Sequence, residues 1–518
     1  MAALLVIAAV ALGLAIHLKD GEYTPVALAL VTLALVASIV ALVRECLVGD
    51  CRLPIADCRI EDTPSAPPFG IRQPAIGIVS LGLALQLGLL FSAWPGADLP
   101  PRGGWQLLPF YAGLSAAVVL IAGGLLVNSK PAQATWFPLL LLAHLLLGLW
   151  MVHSSPSPHI DVWMFQQKAA AELLHGRNPY AMTFPDIYHS ALPGSPQQVY
   201  GDVLVVNDRL QFGFPYPPVS LLLATIGYAV AGDCRYAQVV ALVLAGAFIG
   251  YCRPGRIAKL AAALLLFTPR VFYVLGRGWT EPFGILLLAA TIFCACRRSR
   301  LLPIALGLLL ATKQYMVLAV PLTYFLLPRS NTSAADRRWK NWVNLLWKAA
   351  LAAAIITLPL ALWDFGAFWK STIAVQELAP FRWDALSFLV LYGKARAHFH
   401  ALDYPIWFVS RKLTVTDPLA AVIWSTSAAI VMLIFSLSRA PRAPAGFAAS
   451  LALISLAFFA FNKQAFCNYY FFVIGAMCCG VACAVQGQKS LTTENTEDTE
   501  RMPEINGPQM NTDEHRWK

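Results

Sequence analysis

One carboxylate and a scatter of cations at the ends of apolar runs are the groups in this chain best placed to do chemistry. Asp161 opens the stretch HIDVWMFQQKAAAELLHGRNPY, His159–Tyr180. A carboxylate there can take the proton of an attacking hydroxyl. It can equally cap the helix that follows, a common role for aspartate. Val162, Phe165, Ala169 and Leu173 share one helical face, with Gln166, Lys168 and Glu172 off it. This spacing predicts a short amphipathic helix lying on a membrane surface. Gly176 ends it, and Asn178-Pro179-Tyr180 turns the chain.

Arg270, Arg277, Glu281, Lys313, Gln314, Lys463 and Gln464 stand at the ends of apolar runs. Such cations can snorkel to the bilayer surface, pair internally (Arg277 with Glu281, for example), or converge on one anion such as a phosphate. The residues alone leave these readings open. Phe214–Ser220, FPYPPVS, carries Tyr216 among three prolines that fix an extended approach to a helix start. The stretch Trp363–Tyr404 mixes Trp363, Phe365, Phe368, Trp369, Phe381 and Trp383 with Asp364, Lys370, Glu377, Arg382 and Asp384. That composition suits stacking on a sugar and equally an interfacial aromatic belt. No P-loop, GxSxG or HExxH is present. Most of the 11 cysteines lie inside apolar runs, and Cys46, Cys51 and Cys58 lack zinc spacing. The cysteines therefore read as structural or incidental, and no cofactor is expected; a divalent metal is possible, but no ligand cluster supports one.

The elements that must position these groups are set by the solvent. The chain has 518 residues, 58% hydrophobic and 13% charged, with a mean hydropathy of +0.62. Soluble domains carry roughly 25% charged residues. A soluble enzyme, a secreted disulfide scaffold and a nucleic-acid-binding protein are excluded. The net charge of +10 fits basic loops at an anionic membrane instead. Apolar runs fall at 2–17, 25–43, 75–93, 107–127, 134–152, 215–232, 236–251, 256–274, 282–296, 301–327, 343–363, 418–437, 446–461 and 467–486. With about 20 residues per crossing, they predict an all-α polytopic membrane protein of about 13–15 transmembrane helices. The N-terminus lacks a basic leader region and reads as a retained first span.

The basic loops 252–259, 296–300, 328–342 and 438–444 are expected in the cytoplasm. Loops 296–300 and 328–342 then enclose a single run, so that run must break, at Thr312-Lys313-Gln314. A lysine at the bilayer centre would be costly, which favours the same break. The long loop 153–213 is expected outside, with Gly276–Pro282, the 312–314 break, 363–404 and Asn462–Gln464. The run Pro215–Gly232 either dips and returns, the favoured reading, or spans, which would put loop 252–259 outside. Both termini are placed in the cytoplasm, with a disordered acidic tail, 487–518.

The order of these features resembles the GT-C superfamily of polytopic glycosyltransferases. It is closest to the group of polyprenyl-phosphate-mannose-dependent mannosyltransferases (glycosyltransferase family 87-like). The likeness spans 134–486 and rests on several segments taken together. They are the span 134–152 followed by Asp161, LLHGRNPY (Leu173–Tyr180), FPYPP (Phe214–Pro218), TPRVFYVLGRGWTEP (Thr268–Pro282), ALGLLLATKQY (Ala305–Tyr315) and FNKQAFCNYY (Phe461–Tyr470). It implies a GT-C-like catalytic domain over 131–486, with amphipathic surface helices on its external loop. Residues 1–130 would be an accessory module of about four spans at roughly 20 residues each.

By the same resemblance the protein would sit in a bacterial inner membrane with a periplasmic active site. The donor would be a polyprenyl-phosphate sugar, a mannose-like hexose, and the acceptor a glycan or glycolipid. Asp161 would be the general base. Arg277, Lys313, Arg382 and Lys463 would hold the donor phosphate. Tyr180, Tyr216, Glu281, Gln314 and Gln464 would contact substrate. A transporter or flippase of lipid-linked sugars, and a non-catalytic envelope-assembly protein, are the competing readings.

Overall fold

A computed structural model describes residues 1–50, 73–96, 104–188, 199–327, 335–401 and 418–484. The loop cysteines Cys51 and Cys58, the basic residue Arg329, the end of the aromatic stretch at Tyr404 and the tail 487–518 lie outside these residues.

The chain is mostly helical, and the helices sort by length. Among the described residues seven are long and apolar enough to cross a membrane. They are Ala2–Gly21, Pro25–Arg44, Ala75–Ser92, Leu108–Leu126, Lys130–Ser154, Arg338–Ala361 and Ala420–Arg439. Their outer faces keep large apolar side chains uncovered, such as Leu81, Trp347, Ile355 and Ile434. In water that surface would drive aggregation; against lipid it is the solvated face.

Three shorter apolar helices, Glu281–Cys296, Pro444–Ala460 and Cys467–Cys483, fill the interior. Their residues are buried nearly all round, as expected of a helix that is apolar on every face. The protein is thus an all-α polytopic membrane protein. The tally of about 13–15 full crossings, taken from run length, divides differently: several runs form short or bent helices whose turns hydropathy does not register.

Two breaks matter for the site. Pro218–Ala231 ends at Gly232, with φ 76°, and the chain bends by 115° into Arg235–Tyr251. This is the segment expected to dip. The run 301–327 divides as the charge balance of its flanking loops requires. Leu302–Leu310 is an α-helix, Lys313 is extended (φ −146°, ψ 150°), and Gln314–Ala319 and Pro321–Leu326 continue as 3-10 turns.

Among its described residues the loop after Lys130–Ser154 carries one amphipathic helix, Asp161–Leu174, where several surface helices were expected. The rest closes on a small antiparallel sheet of Phe184–Pro185, Val205–Val206 and Arg209–Leu210. Asn207 and Asp208, at φ 49° and 55°, make the two-residue turn of its hairpin. Paired left-handed residues match the twist of the flanking strands, and Asn and Asp tolerate that conformation.

The first helix is packed into the bundle. Leu5 touches Gly480 of the last one, and the turn Leu18–Gly21 reaches the end of the bundle that holds Asp161 and Lys313. There Asp20 pairs with Arg270 at 2.7 Å, and the Tyr23 N–H donates to the Asp384 carbonyl at 2.9 Å. Gly21, at φ 81°, lies against the Cys467 backbone, where a Cβ would stand 2.7 Å from its nitrogen. Only glycine meets both demands.

Candidate functional site

The break at Thr312–Gln314 leaves carbonyls that a continuous helix would have used. The FPYPPVS segment takes them: the Val219 N–H donates to Ala311 O at 3.1 Å, and the Ser220 hydroxyl to Thr312 O at 2.7 Å. Gln314 returns the contact, its Nε2 donating to Pro215 O and Thr372 O, both at 2.8 Å. The proline segment, the broken helix and the stretch after Trp363 are therefore locked together around Lys313.

Lys313 turns inward. Its Nζ stands 2.7 Å from Glu281 Oε1, which also accepts from Asn468 Nδ2 at 3.0 Å. Lys313 is 3% exposed and Glu281 is 0%. The ammonium lies 4.4 Å from the Tyr216 ring centroid, with the Tyr469 and Tyr315 rings at 5.7 and 5.9 Å. Ring faces and a carboxylate together hold the cation. Glu281 therefore pairs with Lys313, where sequence had offered Arg277. Arg277 lies over the Tyr273 ring at 5.5 Å and donates to the His159 carbonyl at 3.3 Å.

Beside Lys313 opens a cavity of about 540 Å³. One end is polar, lined by Tyr216, Lys313, Gln314, Glu377, Lys463 and Gln464. The rest is mostly apolar: Val422, Ala429, Ile430 and Leu433 of the Pro418–Arg439 helix, with the hydroxyl residues Ser425 and Thr426 between them, line it together with Val317, Leu318, Ile454 and Phe458. From Val422 to Leu433 this wall runs roughly 16 Å, at a rise of 1.5 Å per residue. Lys463 Nζ donates to the carbonyls of Glu377 at 2.9 Å and Ala379 at 2.7 Å. Desolvation pulls its pKa down to about 8, against the opposing pull of the Glu377 carboxylate. Its loop is stitched to the facing strand-like stretch, the Arg382 N–H donating to Lys463 O at 3.1 Å and the Leu386 N–H to Ala465 O at 2.8 Å.

Asp161 is not among the residues that line the cavity; it stands at the start of the helix in the loop after Lys130–Ser154. Ile160 is the cap residue, and Asp161 is the first residue of the helix, at the positive end of its dipole. One carboxylate oxygen accepts the Val162 N–H at 2.7 Å, and the other accepts the hydroxyl of Tyr200. The carboxylate thus serves the helix start and is also oriented by a side chain from 39 residues away. Burial pushes the Tyr200 phenol well up, and the Asp161 charge adds to the shift. Tyr216 is raised in the same way by burial, then by Tyr469, Asp161 and Glu281. Both carboxylates thus act on one ring, which itself lines the cavity. Arg382 is within electrostatic reach of Asp161 but is paired in bidentate fashion with Asp384, at 3.0 and 2.6 Å.

The expected site residues therefore do not all meet. Tyr216, Lys313, Gln314, Lys463 and Gln464 share the cavity, with Glu281 directly behind Lys313. Asp161, Arg277 and Arg382 do not line it: Arg277 donates to the His159 carbonyl, two residues before Asp161, and Arg382 is within electrostatic reach of the Asp161 carboxylate. Tyr180 is 1% exposed and lies beneath the site. Its hydroxyl donates to the Tyr216 carbonyl at 3.0 Å, so it acts by positioning Tyr216. Gly213 makes that packing possible: a Cβ there would lie 2.2 Å from the Tyr180 carbonyl oxygen.

Several participants carry no motif. Arg235, 1% exposed, binds Asp233 and donates to the carbonyls of Ser155 at 2.8 Å and Gly276 at 2.9 Å. Gln166 and Gln238 both donate to the Gly278 carbonyl, at 2.5 and 3.0 Å. Together they fasten the Asp161 helix to Gly276–Pro282. The charged pair Asp233 and Arg235 between two apolar runs was the available signal. Asn468 lay inside the segment FNKQAFCNYY without being singled out, and Tyr200 had no signal.

No family model, no curated protein and no solved structure matches this chain.

Proposed function

We propose that the protein is an integral membrane glycosyltransferase of GT-C type. It moves a hexose, mannose-like by the resemblance over 134–486, from a polyprenyl phosphate to a glycan or glycolipid hydroxyl, with inversion. The observation that carries this reading is the cavity: a mostly apolar trough about 16 Å long by helix rise, ending at two lysines and Glu377. An isoprenoid chain fits the trough, and its phosphate would end beside Lys313 and Lys463. In the reaction Asp161 takes the acceptor hydroxyl proton as that oxygen bonds to the anomeric carbon. The bond from that carbon to the phosphate oxygen breaks, and its electron pair leaves with the lipid phosphate. Positioned base catalysis of this kind contributes typically about 10²–10⁴-fold.

The two lysines contribute differently. Glu281 already balances the charge of Lys313, which therefore orients more than it attracts. Lys463 is held by two carbonyl contacts, with the Glu377 carboxylate acting on it, and its ammonium is the donor that turns to the growing phosphate charge. The bacterial inner membrane, with the Asp161 end facing the periplasm, is the setting this reading implies.

The test is donor binding in nanodiscs, using a radiolabelled polyprenyl-phosphate hexose. Wild type should retain the lipid, and Lys463→Gln should bind it at least about tenfold more weakly, the equivalent of 1.4 kcal/mol. Equal binding by both, or none by wild type, would reject the cavity as the donor site.

A further inference from the structure

We propose that Cys252, Cys296 and Cys483 form a trithiolate site for one thiophilic d10 cation, Zn²⁺ or Cu⁺, at the end of the bundle away from the cavity. The three residues are far apart in sequence, and each ends a different helix: Arg235–Tyr251, Glu281–Cys296 and Cys467–Cys483. Their sulfurs nevertheless converge. Cys296 and Cys483 are 3.5 Å apart, Cys252 and Cys483 are 4.0 Å apart, and all three lie within 4.8 Å of one another. Three sulfurs about 2.3 Å from a common ion stand about 4 Å from each other. The site therefore needs only small side-chain adjustments to close on a metal.

Buried cysteine is often a small apolar filler, and Cys478 and Cys479 fit that description within the last helix. The three converging thiols differ from them in two respects. Cys252 and Cys483 are 2% and 3% exposed, but Cys296 is half-buried and gives the ion a way in. The Arg253 guanidinium lies against the Cys296 sulfur, where its single charge offsets one of the three thiolates, and the ion offsets the rest in part or in full. Soft sulfur ligands select zinc and cuprous ions over hard cations. Each thiol still protonated when the ion arrives gives up its proton on binding.

Two of these helices begin at the candidate site, where Asn468 donates to Glu281, and end here at Cys296 and Cys483. They run parallel over 16 and 17 residues, roughly 24 Å at 1.5 Å per residue. A bound ion would tie their far ends together. This inference does not depend on the transferase reading.

The experiment uses full-length protein in nanodiscs, reduced, stripped of metal and kept anaerobic. Cys46, Cys51 and Cys58 are changed to Ser, which leaves Cys234, Cys294, Cys467, Cys478 and Cys479 as the thiols outside the site. Cd²⁺ alone is titrated in, and sulfur-to-cadmium charge-transfer absorption is read in the ultraviolet. One equivalent should saturate the signal and raise the thermal midpoint. Cys252→Ser, Cys296→Ser and Cys483→Ser should each weaken binding by more than the roughly 10–100-fold lost with an outer-shell partner. Cys478→Ser should bind as the reference does, which separates ligand loss from altered packing. Three results would overturn the proposal: no charge-transfer band, a band that survives all three substitutions, or a Cys296–Cys483 disulfide already present in anaerobically isolated protein.

Discussion

Lys313→Met removes an ammonium and keeps most of the side-chain volume. What remains is Glu281, 0% exposed, with the Asn468 amide still donating to Oε1. At the observed 2.7 Å, and an effective dielectric of about 20, the lost attraction is roughly 6 kcal/mol. Part of that only offset the cost of desolvating both ions, so truncation should cost about 3–5 kcal/mol. The Lys313→Met/Glu281→Gln double variant removes the orphaned charge as well. It should be more stable than Lys313→Met alone, because the unpaired carboxylate is the source of the penalty. Unfolding in mixed detergent micelles, followed by tryptophan fluorescence across all four members of the cycle, measures these differences. The reasoning is refuted if Lys313→Met stays within about 1 kcal/mol of wild type, or if the double variant is no more stable than the single.

Three further perturbations probe the surroundings. Lys463 is charged below its pKa of about 8 and neutral above it, so donor affinity should hold at lower pH and fall above pH 8. The fall should be up to about tenfold per pH unit, and Lys463→Arg should abolish it; a decline unchanged in the arginine variant would assign it to another group. Gly213→Ala drives a methyl into the Tyr180 carbonyl and should displace Tyr216, costing about 1–3 kcal/mol of stability, measurable by the same unfolding assay. Tyr200→Phe removes the hydroxyl that holds Asp161, and turnover should drop roughly 10²-fold with little change in donor binding. Unaltered turnover in that variant would show that the hydroxyl does not orient the carboxylate.

What could be read in the sequence depended on the range of each interaction. Lipid as solvent, the helical class and the break at Thr312–Gln314 follow from local composition and charge, and each has a counterpart in the structure. The number of full crossings was less accessible. The bend of 115° after Ala231 and the short interior helices depend on packing between neighbours that hydropathy does not encode. At the site, the polar groups were visible but their partners were not. Glu281 and Lys313 are 32 residues apart and could have been paired in several ways. Tyr200, Asn468 and Arg235 enter through contacts of 39 to 187 residues in sequence separation. The three converging cysteines illustrate the same limit: a spacing rule searches along the chain, and these thiols meet only across the bundle.

The most direct measurement of the central claim is a transfer assay on wild type beside Asp161→Asn. Both proteins would sit in nanodiscs with radiolabelled polyprenyl-phosphate sugars and membrane-derived acceptors, and donor binding would be measured on the same samples. The expected result is a glycosidic product from wild type only, with equal donor binding by the two proteins. Asp161→Asn making product at the wild-type rate would contradict the role of Asp161. Movement of the donor across the bilayer with no new glycosidic bond would contradict the transferase itself.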